Sequence, residues 1–226
     1  MRIRAALTAA VMCLGAVIGT ASCGRPDIVG DNLIMQARED FEALDSAKVI
    51  MTNTDTDKQE QVFTFKYEGD TLVYSDVRNV DDKISSEYNN GEVNIYYQGE
   101  KYYQYEPGDE KFKKYTRSDK HKKAQDDMIT YIPSAVTDAK MLNKDDKIEI
   151  THVYNVETVK PAVPEGAQAT GFAVRYLFDS DGKLESFTES TIYELEGQEH
   201  RVVYRTEITE KNSVEKVQEI SSTQAK

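Results

Sequence analysis

The sequence predicts a mainly β protein of the α+β class, a curved antiparallel sheet or open half-barrel of about ten strands covered by an N-terminal helix and a short helical crossing. Two patterns support this prediction. Apolar and polar residues alternate along 62–67, 148–156, 172–178 and 200–208, as they do in half-buried strands. Short segments rich in Gly, Asn and Asp separate these runs and favour tight turns.

The N-terminal segment 1–22 has the composition of a secretory signal peptide. Residues 1–4 form a short basic start, and residues 5–18 are small and apolar. A basic start, an apolar run of this length and small residues before a cleavage site are typical of such peptides. The apolar run is too short to span a bilayer, which takes about 20 apolar residues. We therefore predict that residues 1–22 are removed.

The residues at the cleavage site resemble the lipobox of bacterial lipoproteins. Ala21, Ser22, Cys23 and Gly24 fit that pattern, whereas Thr20 stands where leucine is usual. The resemblance implies that the Cys23 thiol is lipidated, with acyl chains such as palmitate. It also implies that these chains anchor the protein to a bacterial cell membrane on the extracytoplasmic side.

Ordinary secretion with cleavage after Ala21 is the alternative interpretation. It leaves Cys23 as a free thiol near the mature N-terminus, because Cys13 lies in the removed segment. An odd cysteine in a secreted protein needs an explanation, and lipidation supplies one. In either case the mature chain has no cysteine pair, so the predicted fold stands without a disulfide.

Acidic residues outnumber basic ones, and the formal net charge is −12 at pH 7. Binding to nucleic acid and electrostatic attachment to anionic lipid both depend on clustered Lys and Arg. The charges are mixed along the chain, which indicates a solvated surface. We therefore predict no nucleic-acid partner, and a membrane contact made through the lipid anchor alone.

One amphipathic helix is predicted at 32–45. Residues 23–30 are predicted to be the lipidated cysteine and a tether, and Asp31 to cap the helix through its carboxylate. A stripe of apolar residues at helical spacing indicates a helix that covers a sheet. The stripe consists of Leu33, Ala37, Phe41 and Leu44, with Ile34 beside them.

The strands after the helix are short and joined by close turns, which indicates an antiparallel meander. Gly69-Asp70 and Asn89-Asn90-Gly91 are typical hairpin turns. The predicted strands of this first half are 63–67, 72–74, 84–88, 93–97, 101–105 and 112–117.

The stretch 118–138 breaks the alternation and contains Pro133, which cannot continue a helix. We predict one or two short helices or a loop that crosses the sheet. A second meander follows, with turns at 180–182 and 196–197. Its predicted strands are 148–156, 172–178, 184–195 and 200–209.

A single half-barrel domain is accordingly predicted at 31–210. Residues 211–226 are polar and are predicted to be a tail. Three apolar residues of this tail are candidates for docking onto the domain: Val214, Val217 and Ile220.

This order of elements resembles the LolA/LolB and LppX/LprG-like superfamily of lipoprotein carriers, together with uncharacterised bacterial lipoproteins that share its open half-barrel. The resemblance covers most of 31–210 and depends on architecture, with no diagnostic motif. In that superfamily the concave face of the sheet is apolar and shelters acyl chains, with helices as a lid. The resemblance implies a fold, and it assigns no functional residue.

Asp179-Ser180-Asp181-Gly182 is similar to a fragment of a calcium-binding loop. The ligand spacing of an EF-hand would also require ligands at Leu177 and Thr188. Leucine cannot ligate a cation, and threonine supplies no bidentate carboxylate. A hairpin turn in which glycine takes positive φ is therefore the favoured interpretation, and we predict no metal site.

The three histidines are His121, His152 and His200, and no two of them have metal-ligand spacing. The sequence contains no nucleophile elbow, P-loop, zinc-protease motif or C-x-x-C pair. We therefore predict no catalytic residue, no cofactor and no enzymatic activity.

The sequence holds 14 tyrosines and no tryptophan. Tyrosine suits a half-buried sheet face, because it has an apolar body and a polar tip. Packing is the favoured explanation, and a surface that lines a ligand or faces a partner is the alternative. Many of the tyrosines lie in one meander: Tyr88, Tyr96, Tyr97, Tyr102, Tyr103, Tyr105 and Tyr115.

In a half-barrel, one set of alternate residues faces inward on every strand. The wider candidate face is Phe63, Phe65, Tyr67, Leu72, Tyr74, Ile95, Tyr97, Tyr103, Tyr105, Phe172, Val174, Tyr176, Phe178, Val202, Tyr204 and Ile208. The candidate ligand-binding residues within it are Phe63, Phe65, Tyr67, Tyr74, Tyr97, Tyr103, Tyr105, Phe172, Tyr176 and Tyr204.

Two functions are consistent with these patterns. The first is a membrane-anchored extracytoplasmic lipoprotein that binds a lipid or another apolar ligand on its concave sheet face. The alternative is a structural or protein-interaction lipoprotein of the cell envelope whose sheet is filled by its own side chains. An open apolar groove under helix 32–45 favours the first function, and a packed interior favours the second.

Overall fold

The computed structural model describes residues 28–69, 71–79, 92–98, 101–105, 113–116 and 128–217. Within 76–116 it describes the backbone of the strands. Cys23, the predicted strand 84–88 and the turn 89–91 lie outside the described residues, as do His121 and Ile220.

The described residues form two α-helices, one 3-10 turn and eleven strands. The helices are α1 (Asp31–Glu42) and α2 (Val156–Val159), and the 3-10 turn is Pro133–Ala135. The strands are β1 (Ser46–Asn53), β2 (Lys58–Glu68), β3 (Thr71–Asn79), β4 (Glu92–Gln98), β5 (Lys101–Tyr105), β6 (Lys113–Thr116), β7 (Val136–Lys144), β8 (Lys147–Tyr154), β9 (Gln168–Phe178), β10 (Leu184–Leu195) and β11 (Gln198–Thr209).

All eleven described strands belong to one antiparallel sheet, in the order β6-β5-β4-β3-β2-β1-β11-β10-β9-β8-β7. The order is linear, so the sheet has two edges and stays open among the described strands. The predicted mainly β fold with a curved, open sheet is confirmed. The strand count is one more than the approximate number expected, within the part of the chain that is described.

The first and last strands meet at the centre of this sheet. Strands β1–β6 form one meander and β7–β11 form another, and the two are joined by the antiparallel pair of β1 and β11. In β1, Val49 is opposite Phe63 of β2 on one side and opposite Ile208 of β11 on the other. Residues opposite one another share a face, so the inward set of alternate residues continues across the joint.

Gly30 is the N-cap residue directly before helix α1. Its φ of 80° lies in the left-handed region that glycine adopts without strain. A Cβ on Gly30 would lie 2.5 Å from Cδ1 of Ile150, so the helix start is pressed against β8. The prediction that Asp31 caps the helix is wrong. No side chain caps it, and the Asp31 carboxylate accepts a hydrogen bond from the Tyr131 hydroxyl instead.

The helix ends at Glu42, earlier than the predicted end at 45. Its buried residues are Ile34, Ala37 and Phe41, which all belong to the predicted stripe. Phe41 meets Phe65 of β2 edge-on, with ring centroids 5.9 Å apart. The helix therefore covers the face that carries Phe65, which is called the concave face from here on.

The crossing segment also packs on the concave face. The part of it that is described before β7, 128–135, is irregular except for the 3-10 turn, and it buries Ile129 and Tyr131. Arg38 of α1 donates a hydrogen bond to the carbonyl oxygen of Tyr131 at 3.1 Å. The crossing and α1 therefore form one cover over the sheet.

Two strands lie where no strand was predicted. Strand β1 contains the continuous apolar run Val49-Ile50-Met51, in which alternation is hard to recognise. Strand β7 starts inside the predicted crossing 118–138 and is an edge strand with mostly exposed residues, so burial imposes little pattern on it. The strand predicted at 148–156 ends at Tyr154, because Asn155 caps α2 by accepting hydrogen bonds from two backbone amides.

Turn chemistry agrees with the sequence where the turns are described. Glu196 and Gly197 both have positive φ, as a primed hairpin turn requires. Asp179 accepts hydrogen bonds from the backbone amides of Asp181 and Lys183, both at 2.9 Å. The backbone amide of Lys183 is the main reason why the pKa of Asp179 lies below its ordinary value. The segment serves as a turn here.

Part of the predicted tail, 211–217, returns to the sheet. Val214 and Val217 are buried, and the Val214 amide donates to the Ser46 hydroxyl at 3.2 Å. Two of the three residues proposed for docking are thus docked. Neither described helix combines the length and hydropathy that a transmembrane span requires.

Candidate functional site

Strand register assembles one row of inward-facing residues across six strands. Tyr176 lies opposite Ile150 and Phe187, and Thr206 lies opposite Phe187 and Met51. Gln61 of β2 completes the row opposite Met51. This row is apolar at the β8–β10 end and becomes mixed towards β2. Residues far apart in sequence are thus placed side by side on the concave face.

A cavity of about 220 Å³ lies at the mixed end of this row. Its floor is formed by β1, β2, β10 and β11, and its other wall is the crossing segment at Met128 and Thr130. Apolar and polar groups are both present, so the cavity suits an amphiphilic molecule better than a purely apolar one. Its lining residues are Val49, Met51, Gln61, Met128, Thr130, Phe187, Glu189 and Thr206.

Glu189 is the charged residue in this lining. It lies opposite Val174 of β9 and Tyr204 of β11, on the same face as Phe187. The Thr130 hydroxyl donates to its Oε1 at 2.5 Å, which joins the sheet to the crossing segment. Burial raises the pKa of Glu189 above its ordinary value, and the Thr130 hydrogen bond partly opposes that shift.

A chain of hydrogen bonds continues from Thr130 into the core. Tyr176 donates its hydroxyl proton to the Thr130 carbonyl oxygen. Since a phenol has a single O–H, the bond of 2.9 Å between the two hydroxyls must be donated by Tyr154. Burial raises the pKa of both tyrosines, so both remain neutral donors. Thr130 is therefore fixed by two hydrogen bonds, one from its hydroxyl to Glu189 and one from Tyr176 to its carbonyl oxygen.

A second cleft, of about 140 Å³, lies beside the C-terminal half of α1. Its walls are apolar, with Phe41 and Leu44 on one side and Leu184 and Ile208 on the other. Asp40, Lys183 and Lys211 stand at its polar margin. Lys211 also donates to the Leu184 carbonyl oxygen at 3.3 Å, which makes it part of the local structure.

Of the ten sequence-predicted ligand residues, seven have described side chains, and five of these seven are buried. Phe65 meets Phe41 of α1, Tyr176 donates to the Thr130 carbonyl oxygen of the crossing segment, and neither has any exposed surface. None of the seven lines the cavity of about 220 Å³. Tyr67 and Tyr204 are partly buried, and the five fully covered residues are Phe63, Phe65, Tyr74, Phe172 and Tyr176.

The wider candidate face has the same outcome. Leu72, Val174 and Phe178 are buried, and Val202 and Ile208 are partly buried. The three buried residues stabilise the fold by packing, whereas Ile208 also lines the cleft of about 140 Å³.

The register corrects the assignment of two tyrosines in β5. Tyr97 of β4 is opposite Tyr102, and its neighbour Tyr96 is opposite Tyr103. Tyr103 and Tyr105 therefore occupy the alternate set of positions from Tyr97 and Ile95. Gln98 lies opposite Lys101 in this register, and alternation within one strand does not show which residues of the next strand share its face.

The chain is similar in structure to three proteins of known structure. Lipoprotein LppX of Mycobacterium tuberculosis matches with a TM-score of 0.47 at 16% identity, over 83% of this chain and 97% of that chain. LprF of Mycobacterium bovis matches with a TM-score of 0.46 at 10% identity, over 87% and 99%. A LolA superfamily protein of Nitrosomonas europaea matches with a TM-score of 0.25 at 10% identity, over 87% and 97%.

No protein-family model and no curated protein matches the chain. The three structural matches have TM-scores below 0.5 and identities of 16% or less. At these identities and scores they assign neither a ligand nor a site residue to this chain.

The two described histidines, His152 and His200, make contacts within the fold. His152 is buried, and its Nε2 lies 2.8 Å from the Val29 carbonyl oxygen at the start of α1. The ring of His200 stacks on Tyr193, with centroids 5.3 Å apart. Among the described residues, no group of three or more His, Cys, Asp or Glu side chains is arranged to hold a metal ion.

Sequence reasoning missed the residues that line the cavity. Met51 was missed because β1 was not recognised, and Met128 and Thr130 were treated only as part of a crossing. Glu189 gave a usable signal, since it occupies an alternate position with Phe187 and Thr191 in a strand that was predicted. A carboxylate in such an inward position is expensive to bury and indicates a special role.

Proposed function

We propose that this protein is a membrane-anchored extracytoplasmic lipoprotein that binds an apolar or amphiphilic molecule in the cavity between the sheet and the crossing segment. The observation that carries the proposal is the cavity of about 220 Å³ that the cover leaves open on the concave face. The space suits a chain segment better than a whole lipid, because sites for drug-sized ligands begin at about 300 Å³.

The energetics of such a ligand follow from the lining. Met51, Met128, Val49 and Phe187 provide apolar contact, and each methylene group that they cover contributes about 0.8 kcal/mol. Gln61, Thr130 and Glu189 provide polar contact for a head group. A molecule with an apolar chain and a polar end therefore satisfies both parts of the lining.

The anchor is proposed on the sequence at Ala21-Ser22-Cys23. Two acyl chains hold a protein on a membrane where a single chain is marginal. The described chain is fastened to the sheet from Val29 onward by its contact with His152. Six peptide units separate Cys23 from Val29 and span about 20 Å at most. The proposed anchor would thus keep Val29, at the start of the described fold, within about 20 Å of the membrane surface.

The anchor is tested by changing Cys23→Ser. We expect the wild-type protein in the membrane fraction of a bacterial host and the variant in the soluble fraction, because the variant has no thiol to acylate. Fractionation with immunoblotting measures the distribution, and mass spectrometry identifies the acyl groups. A wild-type protein that is soluble and has an intact Cys23 thiol would contradict the anchor.

The cavity is tested by filling it. In the full chain with Cys23→Ser, we expect Met51→Trp to weaken binding of the neutral apolar dye N-phenyl-1-naphthylamine at least about tenfold, or 1.4 kcal/mol. The matched control is Met141→Trp, since Met141 is 44% exposed on the edge strand β7, away from the cavity. Dye fluorescence measures binding, and circular dichroism checks the fold.

Met128→Trp fills the same cavity from the crossing segment, so it repeats the test if Met51→Trp does not fold. Native mass spectrometry of the wild-type protein from its own host then shows whether an apolar molecule copurifies. A wild-type protein that binds no dye and carries no such molecule would reject the proposed binding function.

The structural or protein-interaction function is the second candidate. The observation that favours it is the packed interior beneath α1, where Ile34 and Phe65 have no exposed surface. Under this alternative the cavity is a packing defect, and Met51→Trp leaves every measured property unchanged except stability. The dye experiment therefore separates the two candidates.

A further inference from the structure

We propose that Glu189 selects the ligand of this cavity, favouring a single-chain amphiphile whose head group donates a hydrogen bond, such as an alkylamine, over one whose head group is acidic. This inference rests on the proposed binding function and adds the chemistry of the head group. It depends on the position of one carboxylate and on what surrounds it.

The first step is the location of the carboxylate. Glu189 lines the cavity together with the apolar side chains of Phe187, Met51 and Met128, and it accepts a hydrogen bond from the Thr130 hydroxyl. Its register partners Val174 and Tyr204 supply no positive charge. A ligand that occupies this cavity must therefore place some group against the carboxylate.

The second step concerns how many hydrogen bonds the Glu189 carboxylate accepts within the protein. Thr130 donates to Oε1, and no other donor reaches Glu189 among the described residues. None of the ion pairs formed within the described ranges includes Glu189. An ionised carboxylate accepts several hydrogen bonds, so most of this capacity is open to a ligand.

The third step is the free-energy cost of a partly buried carboxylate that lacks hydrogen-bond donors. A partly buried carboxylate without a counter-ion loses hydration that a single hydroxyl does not replace. An ammonium group would supply a charge-assisted hydrogen bond, which is shorter and stronger than a neutral one. An acidic head group would instead place two carboxylates together, which raises the cost further.

Other groups near the cavity do not reverse this preference. Arg38 donates a hydrogen bond to the Tyr131 carbonyl oxygen and does not line the cavity. Tyr154 and Tyr176 are neutral and use their hydroxyl protons within the core. Among the described residues that line this cavity, Glu189 is thus the one ionisable group.

The experiment compares three probes with the same chain: octylamine, 1-octanol and octanoate. Calorimetric titration at pH 7.5 uses the full chain with Cys23→Ser. We expect octylamine to bind at least about tenfold more tightly than octanoate, with 1-octanol between them. In Glu189→Gln the amine and the acid should bind within about threefold of each other, because the amide has no charge.

The matched control is Glu194→Gln, which removes the same charge from an exposed position of the same strand. This control is needed because the net charge of −12 attracts any amine. Glu194→Gln should keep the wild-type preference, and the preference should persist at high salt, where long-range attraction is screened. A preference that falls equally in both variants would overturn the inference.

The outcomes also separate this inference from the proposed function. If the amine and the acid bind the wild-type chain equally and Met51→Trp weakens both, the cavity binds ligands but Glu189 does not select them. If no octyl probe binds, the binding function fails and the inference fails with it. If Glu189→Gln does not fold, Thr130→Val serves instead, since the carboxylate then depends more on the ligand and the amine preference should rise.

Discussion

Glu189 is an acid in a row of inward-facing residues, and its ionisation should affect stability. Burial raises its pKa above the ordinary value of 4.5, while the Thr130 hydroxyl opposes the shift. The folded protein therefore binds the proton more tightly than the unfolded chain does. Its contribution to stability is greatest below pH 4.5, and it is lost as the pH rises through the raised pKa.

We predict that Glu189→Gln is more stable than the wild-type protein at pH 7.5, and that the difference disappears on acidification to pH 4. The glutamine keeps an oxygen for Thr130 and avoids the cost of a buried charge. Urea unfolding at several pH values measures the free energy of both proteins. A stability difference of the same size at pH 4 and pH 7.5 would show that the charge of Glu189 is not responsible.

His152 is a second polar residue that is buried, and one of its two ring nitrogens has no hydrogen-bond partner among the described residues. Its Nε2 is paired with the Val29 carbonyl oxygen, and its Nδ1 is buried without a hydrogen-bond partner. The rings of Tyr131 and Tyr176 surround it, with centroids 5.8 and 5.7 Å away. The histidine thus links the segment before α1 to the sheet, a role that its position in a predicted strand did not indicate.

At the scale of the element, the apolar stripe of α1 is the side of the helix that packs on the concave face of the sheet. The helix is short, and isolated helices of this length are marginal in water. Its stability must therefore come from packing Ile34, Ala37 and Phe41 against the concave face. The close approach of Gly30 to Ile150 fixes the start of the helix, and Arg38 ties it to the crossing segment.

We predict that Ile34→Ala lowers the free energy of unfolding by about 2–5 kcal/mol, since it removes a fully buried side chain and leaves a cavity. The matched control is the adjacent Met35→Ala, because Met35 is 42% exposed. That change should stay within about 0.5 kcal/mol. Urea unfolding followed by circular dichroism measures both, and similar losses for the two variants would show that α1 does not pack as described.

At the scale of the whole molecule, stability should be concentrated where the two meanders meet. Strands β1 and β11 are paired on both sides, whereas β7 is paired on one side among the described strands. Loss of the β1–β11 pair would separate the sheet into two pieces. Amides of these two strands should therefore open only with the whole fold.

We predict that amides of 48–53 and 204–209, where β1 and β11 pair, exchange with deuterium at one common slow rate, at least about tenfold slower than those of 136–144. The physical reason is that an edge strand can open locally while a central strand cannot. Hydrogen exchange followed by mass spectrometry of peptides measures the rates. Faster exchange in β1 than in β7 would contradict the central position of β1.

Much of the fold could be predicted from the sequence, because most strands are long enough to show alternation. The runs around Phe63–Tyr67 and Phe172–Phe178 gave their strands and their inward residues correctly. Strand β7 could not be recognised, because an exposed edge imposes no alternation. The candidate site was predicted poorly, since the most apolar inward residues were the ones that the protein covers with its own helix.

The sequence by itself determined the strand and helix periodicities and the hypothesis of a lipidated Cys23, since these depend only on neighbouring residues. The tertiary structure alone decided that β1 pairs with β11, which brings Met51 beside Thr206. It also decided that the crossing segment lies against β10, where Thr130 bonds to Glu189. Alternation shows which residues of one strand share a face, but it does not show which strands become neighbours. That choice depends on how the whole chain buries its apolar surface, and the cavity is the space that this packing leaves open.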